Sequence, residues 1–445
     1  MSHILREGQV VKTESSGLDC EVEQFLGGGG QGEVYRAKLG GQNVALKWYF
    51  RQQATTEQYA SLSQLVSKGP PNDKFLWPLE LARGVGAPDF GYVMPLRDAR
   101  YKSLFDLVTR RIEPGFRELA TAGLQLADSF LQLHSRGLCY RDISFGNVFF
   151  DPATGEVLIC DNDNVGVDGK DGGVLGTPDF MAPEVVRGEA KPRTRTDLFS
   201  LSVLLFYMLH IHHPLFGKKL LGIRCLDLPA RTKLCGTEPV FIFDPADKSN
   251  EALPASVDQS REAGANAVEF WPIYPQFLRD LFTKAFTEGV RDPHSRVTEG
   301  VWRGAMIRLR DSIVYCPSCG AENFYDAEAL KASGGKQSPC WSCKQEVRLP
   351  PRIRIGKNVV MLNHDTKLFP HHVDDARLYD CAKEVAEVSR HPSNPNLWGL
   401  KNLMPQKWVS TTPDGAMKEI EPGRSVPLAV GTKINFGKSE GEIRM

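Results

Sequence analysis

The 445-residue chain lacks the features that most often name a partner. Its 54 Lys and Arg are matched by 54 Asp and Glu. No long run of one sign interrupts that balance, so there is no electrostatic footprint for nucleic acid. No apolar run approaches the length of a spanning helix, which excludes an expected helical membrane span. Met1 to Gln9 is mixed-polar rather than a targeting segment, and the expectation is a cytoplasmic chain. Cysteine is sparse for a disulfide scaffold: of ten, six are scattered and four cluster as two Cys-x-x-Cys pairs, a pattern of a reduced compartment with a metal site. What the chain has is length and apolar content, 41%, enough for two or three globular domains.

The densest chemistry lies in Tyr140-Arg141-Asp142-Ile143-Ser144-Phe145-Gly146-Asn147 and in Asp161 beyond it. Asp142 and Asn147 have the spacing that lets one short loop aim a carboxylate at a nucleophile and an amide at a metal. Val157 to Cys160 reads as a buried strand delivering Asp161. Upstream, an alternating stretch from Val10 to Leu26 meets Gly27-Gly28-Gly29-Gly30-Gln31-Gly32, a hairpin whose bare backbone can close over phosphates. Val34 follows, and Val44-Ala45-Leu46-Lys47 reads as a further strand behind the hairpin. A helix is expected over Thr55 to Val66. Its Glu57 is the candidate partner of Lys47, with a plain surface glutamate as the alternative. Phe75 to Leu79 reads as a strand, Tyr92 to Leu96 as the last strand before a hinge, and Phe116 to His134 as an amphipathic helix.

Farther on stand Gly176-Thr177-Pro178-Asp179-Phe180-Met181-Ala182-Pro183-Glu184, an apolar helix from Thr196 to about Leu209, and Arg296. In this order the motifs of residues 20 to 310 resemble the eukaryotic-type protein kinase family. The resemblance implies a catalytic set of Asp142, Lys47, Glu57, Asn147 and Asp161. It implies an ATP site made of Leu26, Gly27, Gly28, Gly29, Gly30, Gln31, Gly32, Val34, Ala45, Lys47, Met94 (the gatekeeper), Leu96 and Phe149. Magnesium, or manganese, would sit on Asn147 and Asp161, and Arg296 would pair with Glu184. The sequence departs from the family in four places. Ser144 and Gly146 stand where a cation beside the transferred phosphate is usual, and Tyr140 replaces the loop His. Asn162-Asp163 replaces Phe-Gly, and no Ser or Tyr lies between Asp161 and Pro183. Activity is therefore expected without phosphorylation of that segment, and Arg141 has no phosphate to clamp.

Lys218 to Trp271 reads as a long irregular insertion, either a docking surface or a mobile excursion. Cys316, Cys319, Cys340 and Cys343 form C-x2-C-x20-C-x2-C, the spacing of a structural zinc ribbon, with two redox pairs as the alternative. Past Pro351, short strands separated by turn signals imply a β-sandwich. Ser389-Arg390-His391, Gly399 to Leu403 and Gly431 to Gly437 resemble forkhead-associated domains. The combination resembles bacterial kinases of a tellurite-resistance-associated phosphorylation triad, which implies a von Willebrand A-type protein and a metal-dependent phosphatase as partners. The expected fold class is α+β: a bilobal kinase fold at 10–312 (lobes 10–95 and 96–312), a zinc ribbon at 313–349 and a small all-β sandwich at 350–445. Two functions stay open, a Mg-ATP-dependent Ser/Thr protein kinase and a nucleotide-binding pseudokinase scaffold acting through its C-terminal modules.

Overall fold

A computed structural model describes residues 3–84, 89–170 and 173–445. The chain divides into two compact units, the first made of Met1–Pro114, Gln125–Ala267 and Thr283–Gly300, the second of Gly115–Leu124, Val268–Phe282 and Val301–Met445. No helix among the described residues is long and apolar enough to cross a membrane.

The first unit opens with a closed antiparallel barrel of β1 (Val10–Thr13), β2 (Asp19–Gly28), β3 (Gly32–Leu39), β4 (Gln42–Tyr49), β5 (Glu80–Arg83) and β6 (Phe90–Pro95), in the order β1-β2-β3-β4-β6-β5. Strand alternation divides β4 between two cores. Val44, Leu46 and Trp48 pack with Val11, Val22 and Tyr35. Ala45 and Tyr49 face the other way, with Leu62, Tyr92 and Met94. Lys47 therefore emerges on the same face as Ala45 and Tyr49. Gly32, where the hairpin closes, has no room for a side chain, because a Cβ there would lie 2.1 Å from the Trp48 carbonyl oxygen.

Helix α1 (Thr56–Lys68) starts on Thr55, whose side chain accepts the Gln58 N–H. The amphipathic helix runs Phe116–Ser135, and the apolar one Thr194–His210, buried along nearly its whole length. Two expectations need correction. Phe75 to Leu79 forms no strand: Phe75 makes one isolated bridge to Ile159, and Pro78 lacks the N–H that a ladder needs. The segment Lys218 to Trp271 is less irregular than expected. It folds into short helical turns, including Leu228–Arg231 and Thr232–Thr237. It is pinned by Phe241, Ile242 and Asn250, each at most 1% exposed.

The second unit holds a two-stranded hairpin, Ile313–Tyr315 with Glu322–Phe324, and a β-rich C-terminal region. There a six-stranded antiparallel sheet runs in the order Asn358–Met361, Arg352–Ile355, Glu440–Arg444, Lys433–Asn435, Trp408–Thr411, Met417–Ile420. A four-stranded sheet runs Lys367–Leu368, Ala386–His391, Asn394–Asn402, Ser425–Pro427. Both feed one core: Ile353, Trp408, Ile434 and Ile443 from the first sheet meet Leu368, Val388, Leu400 and Val426 from the second. The short helix Pro370–Val373 is tied down by His372, whose Nε2 donates to buried Asp311 at 3.0 Å.

Candidate active site

The glycine hairpin, the outer face of β4 and the loop after the helix Phe116–Ser135 enclose a cleft of about 800 Å³. Leu26, Gly27, Gly28, Gly29, Gly30, Gln31, Gly32 and Val34 line its roof. Ala45, Lys47, Met94, Leu96, Phe149, Asp142 and Asp161 line the rest. Asn147 joins them through Asp142: its amide donates to the Asp142 carbonyl at 2.8 Å and to Oδ2 at 3.1 Å. The other Asp142 oxygen accepts from the Thr177 hydroxyl at 2.8 Å. The carboxylate is thus held on both sides by neutral donors, which fix its direction without neutralising it.

The loop itself is anchored from below. Asp197, on the buried helix, accepts the N–H of Tyr140 at 2.6 Å and of Arg141 at 3.0 Å. Its Oδ2 also meets His134 Nε2 at 3.1 Å, and the other ring nitrogen of His134 bonds Glu299. Burial alone would lower the His134 pKa, but the two carboxylates outweigh it and hold it up at about 9. The Tyr140 phenol, in place of the usual loop His, donates to the Cys160 carbonyl beside Asp161. Arg141 donates to the Lys170 carbonyl at 3.1 Å. Arg296 and Glu184 form the expected bidentate pair at 2.8 and 2.7 Å, the arginine side chain 2% exposed.

One expected pairing is absent. Glu57 is exposed in the first turn of α1 and makes no hydrogen bond or ion pair among the described residues. Lys47 instead lies bidentate against Asp163, with oxygens at 2.8 and 3.0 Å, and reaches Asp161 Oδ1 at 3.5 Å and Gln31 Oε1 at 3.2 Å. Both members of the main pair are buried, the side chains 5% and 0% exposed. Burial would depress the lysine's pKa, but Asp163 and Asp161 reverse the shift and keep it raised. Desolvation raises the Asp161 pKa, Lys47 pulls against it, and Asp163 adds to it. The Tyr49 hydroxyl donates to Asp163. Gln58, one residue past Glu57, bonds the Tyr49 hydroxyl at 3.1 Å and the Asp163 carbonyl at 3.4 Å. Its signal was present in the sequence: Gln58, Leu62 and Leu65 stand at i, i+4 and i+7, on one helix face, and Glu57 does not.

In the second unit, all ten cysteines of the chain being free of disulfides, the four paired ones converge. Their sulfurs lie within 4.8 Å of one another, with Cys316 to Cys343 at 3.5 Å and Cys319 to Cys340 at 3.7 Å. Four thiolates bound to one zinc at its usual bond length would be about 3.8 Å apart, so the set fits a tetrahedral shell. Each pair ends in a left-handed residue, Gly320 at φ 76 and Lys344 at φ 61, which turns the backbone back around the metal position. Desolvation opposes ionisation of Cys340, but N–H groups of Cys343 and Ser342 and the Asn323 amide bring its pKa down to about 6.

Residues 83–253 match the protein kinase domain. A serine/threonine-protein kinase of Myxococcus xanthus, pkn2, is 29% identical over 43% of this chain and 24% of its own length. A probable serine/threonine-protein kinase of Zea mays, CCRP1, is 35% identical over 24% of the chain and 18% of its own. The yeast serine/threonine-protein kinase YPK2/YKR2 is 26% identical over 38% and 24%. The chain therefore spans about a quarter or less of the length of the curated relatives it matches. One part of the chain, residues 83–253, thus matches a protein kinase domain, and the relatives that resemble it are serine/threonine protein kinases.

Proposed function

We propose that the chain is an ATP- and magnesium-dependent protein kinase that transfers the γ-phosphate to Ser or Thr hydroxyls of a protein partner. The observation that carries this reading is the convergence of Lys47, Asp142 and Asp161 on one cleft roofed by the glycine hairpin, with Asn147 bonded to Asp142. Asp142, fixed by Thr177 and Asn147, would accept the hydroxyl proton as the nucleophile attacks. The hard oxygen donors of Asp161 and Asn147 suit magnesium, whose charge offsets that of the nucleotide phosphates when bound. Lys47 would orient those phosphates, and the hairpin N–H groups would cover them. The test is γ-phosphate transfer by the full chain, with Asp142→Asn as control. Transfer that survives in the control, or nucleotide binding with no transfer in either protein, would overturn the reading, the second result favouring a pseudokinase scaffold.

The proposal extends to the remainder of the chain. Kinase chemistry is assigned to 10–312, with a structural zinc on Cys316, Cys319, Cys340 and Cys343 within 313–349. Residues 350–445 form a partner-recognition module similar to forkhead-associated domains. The sulfur geometry supports the zinc, and the shared two-sheet core supports the module. A von Willebrand A-type protein and a metal-dependent phosphatase, met in the cytoplasm, are the partners this combination of modules suggests.

A further inference from the structure

The buried partner of Lys47 is in an unusual place for a phosphate-orienting lysine. It is supplied by the turn that carries the metal ligand Asp161, two residues away, and by no residue of α1. We infer that Asp163 is the positioning residue for Lys47 in phosphoryl transfer, doing within the metal-binding segment what a helix glutamate was expected to do. The inference rests on the proposed kinase reading of this cleft and deepens it.

The geometry is over-determined. Asp163 grips Lys47 with both oxygens, is itself bonded by the Tyr49 hydroxyl, and sits in a one-turn helix, Asn162–Asn164, entered through a left-handed Asp161 at φ 49. Lys47 and Tyr49 are alternate residues of β4 and so share its outer face. One strand thus presents the cation and the hydroxyl that steadies its counter-charge. Gln58, facing this cluster from α1, contributes a neutral amide, which can hold the Tyr49 hydroxyl but cannot neutralise a lysine. Gln31 completes the set, linking the roof of the cleft to Lys47 at 3.2 Å and to Asn164 at 3.0 Å. The charged groups around the lysine are therefore Asp163 and Asp161, both on one turn. Placing the metal ligand and placing the lysine become a single structural event, in which no charged group of α1 takes part.

Steady-state kinetics of the full chain tests this. Asp163→Asn keeps the shape and removes the charge, and kcat/KM for ATP should fall roughly 100-fold as the lysine loses its aim. Glu57→Gln should stay within about 2-fold of wild type. In a Lys47→Met background, adding Asp163→Asn should cost no more than about 2-fold further, because Asp163 acts through Lys47. A full, multiplicative loss in the double variant would overturn the inference, as would a large loss in Glu57→Gln. If Asp163→Asn does not fold, Tyr49→Phe takes its place, with an expected loss of about 10-fold that again vanishes in the Lys47→Met background. The two readings fail separately. A wild-type chain that transfers no phosphate overturns the kinase proposal. Calorimetry of Mg-ATP binding then decides the positioning role: weakened binding in Asp163→Asn alone supports it, and equal binding in wild type and Asp163→Asn overturns it.

Discussion

The cleft under the glycine hairpin and the cysteine cluster both concentrate ionisable groups, and they balance them in opposite ways. In the cleft the chain supplies both signs: Lys47 is buried among Asp163 and Asp161, and the direction of each side chain is fixed by protein alone. At the cysteines the groups aimed at the sulfurs are neutral, backbone N–H groups and the Asn323 amide. Such donors favour the thiolate at Cys316 and Cys340, while the neighbouring sulfurs push the Cys343 thiol up to about 12, and a bound cation is what would let all four ionise together. The first site balances its charge within the chain, and the second brings four sulfurs together with no cation among the described residues that bond them.

Removing the ligand from each site sharpens that contrast most. Structural zinc in small metal-binding units contributes about 10–16 kcal/mol of apparent binding energy. Cys340→Ser is therefore expected to release the metal and open residues 313–349 to limited proteolysis, while Mg-ATP affinity stays near wild type. Elemental analysis before and after the substitution checks it, and nucleotide binding lost together with zinc would break the distinction between the two sites. In the cleft, Asp142→Ala should lower transfer by about 10²–10⁴-fold with nucleotide affinity kept. Lys47→Ala and Asp161→Ala should lose affinity as well, because the proposed function places phosphate and metal against them. Equal affinities in all three would contradict the assignment.

A smaller effect comes from the anchored loop. The folded pKa of His134 is raised to about 9 from an ordinary 6.5. The stabilisation from its protonated form is therefore complete below 6.5 and lost as pH climbs through about 9, and it amounts to roughly 3 kcal/mol at most. Thermal midpoints of wild type and His134→Gln should accordingly converge between pH 6 and 9. His210 behaves oppositely: burial holds its pKa down at about 3, so it costs stability only as pH falls below the ordinary 6.5. The smallest expected change is at Lys344, whose left-handed backbone a glycine adopts freely. Lys344→Gly should leave metal content unchanged and stabilise the cluster by about 0.5–1 kcal/mol, read as resistance to chelator.

What was legible in the sequence was chemistry fixed by short spacing. Asp142 with Asn147, the glycine hairpin with Lys47, and the two Cys-x-x-Cys pairs each owe their geometry to a few covalently adjacent residues. The bond between Lys47 and Asp163 spans 116 positions, and nothing local announces it. The expected partner, Glu57, is in the right helix but one residue off the face that turns inward. The strand expected at Phe75 failed for a local reason, Pro78, that β-propensity alone underweights. The insertion contained its own clue: Val240-Phe241-Ile242-Phe243 is an apolar run within a largely polar segment, and such a run pins a loop to a core.

Asp197 sets a clock for the loop that begins at Tyr140. The amides of Tyr140 and Arg141 lie outside any helix or strand, yet each ends on a carboxylate carried by a buried helix. Exposing them to solvent deuterium requires that helix to let go, an opening close in free energy to unfolding the unit. The roof offers a contrast, since Gly29 donates to the Gly32 carbonyl across an exposed turn that can open without disturbing any core. Hydrogen exchange should therefore be slow at Tyr140 and Arg141 and fast at Gly29, giving a cleft whose floor keeps the time of its interior and whose cover keeps the time of its surface.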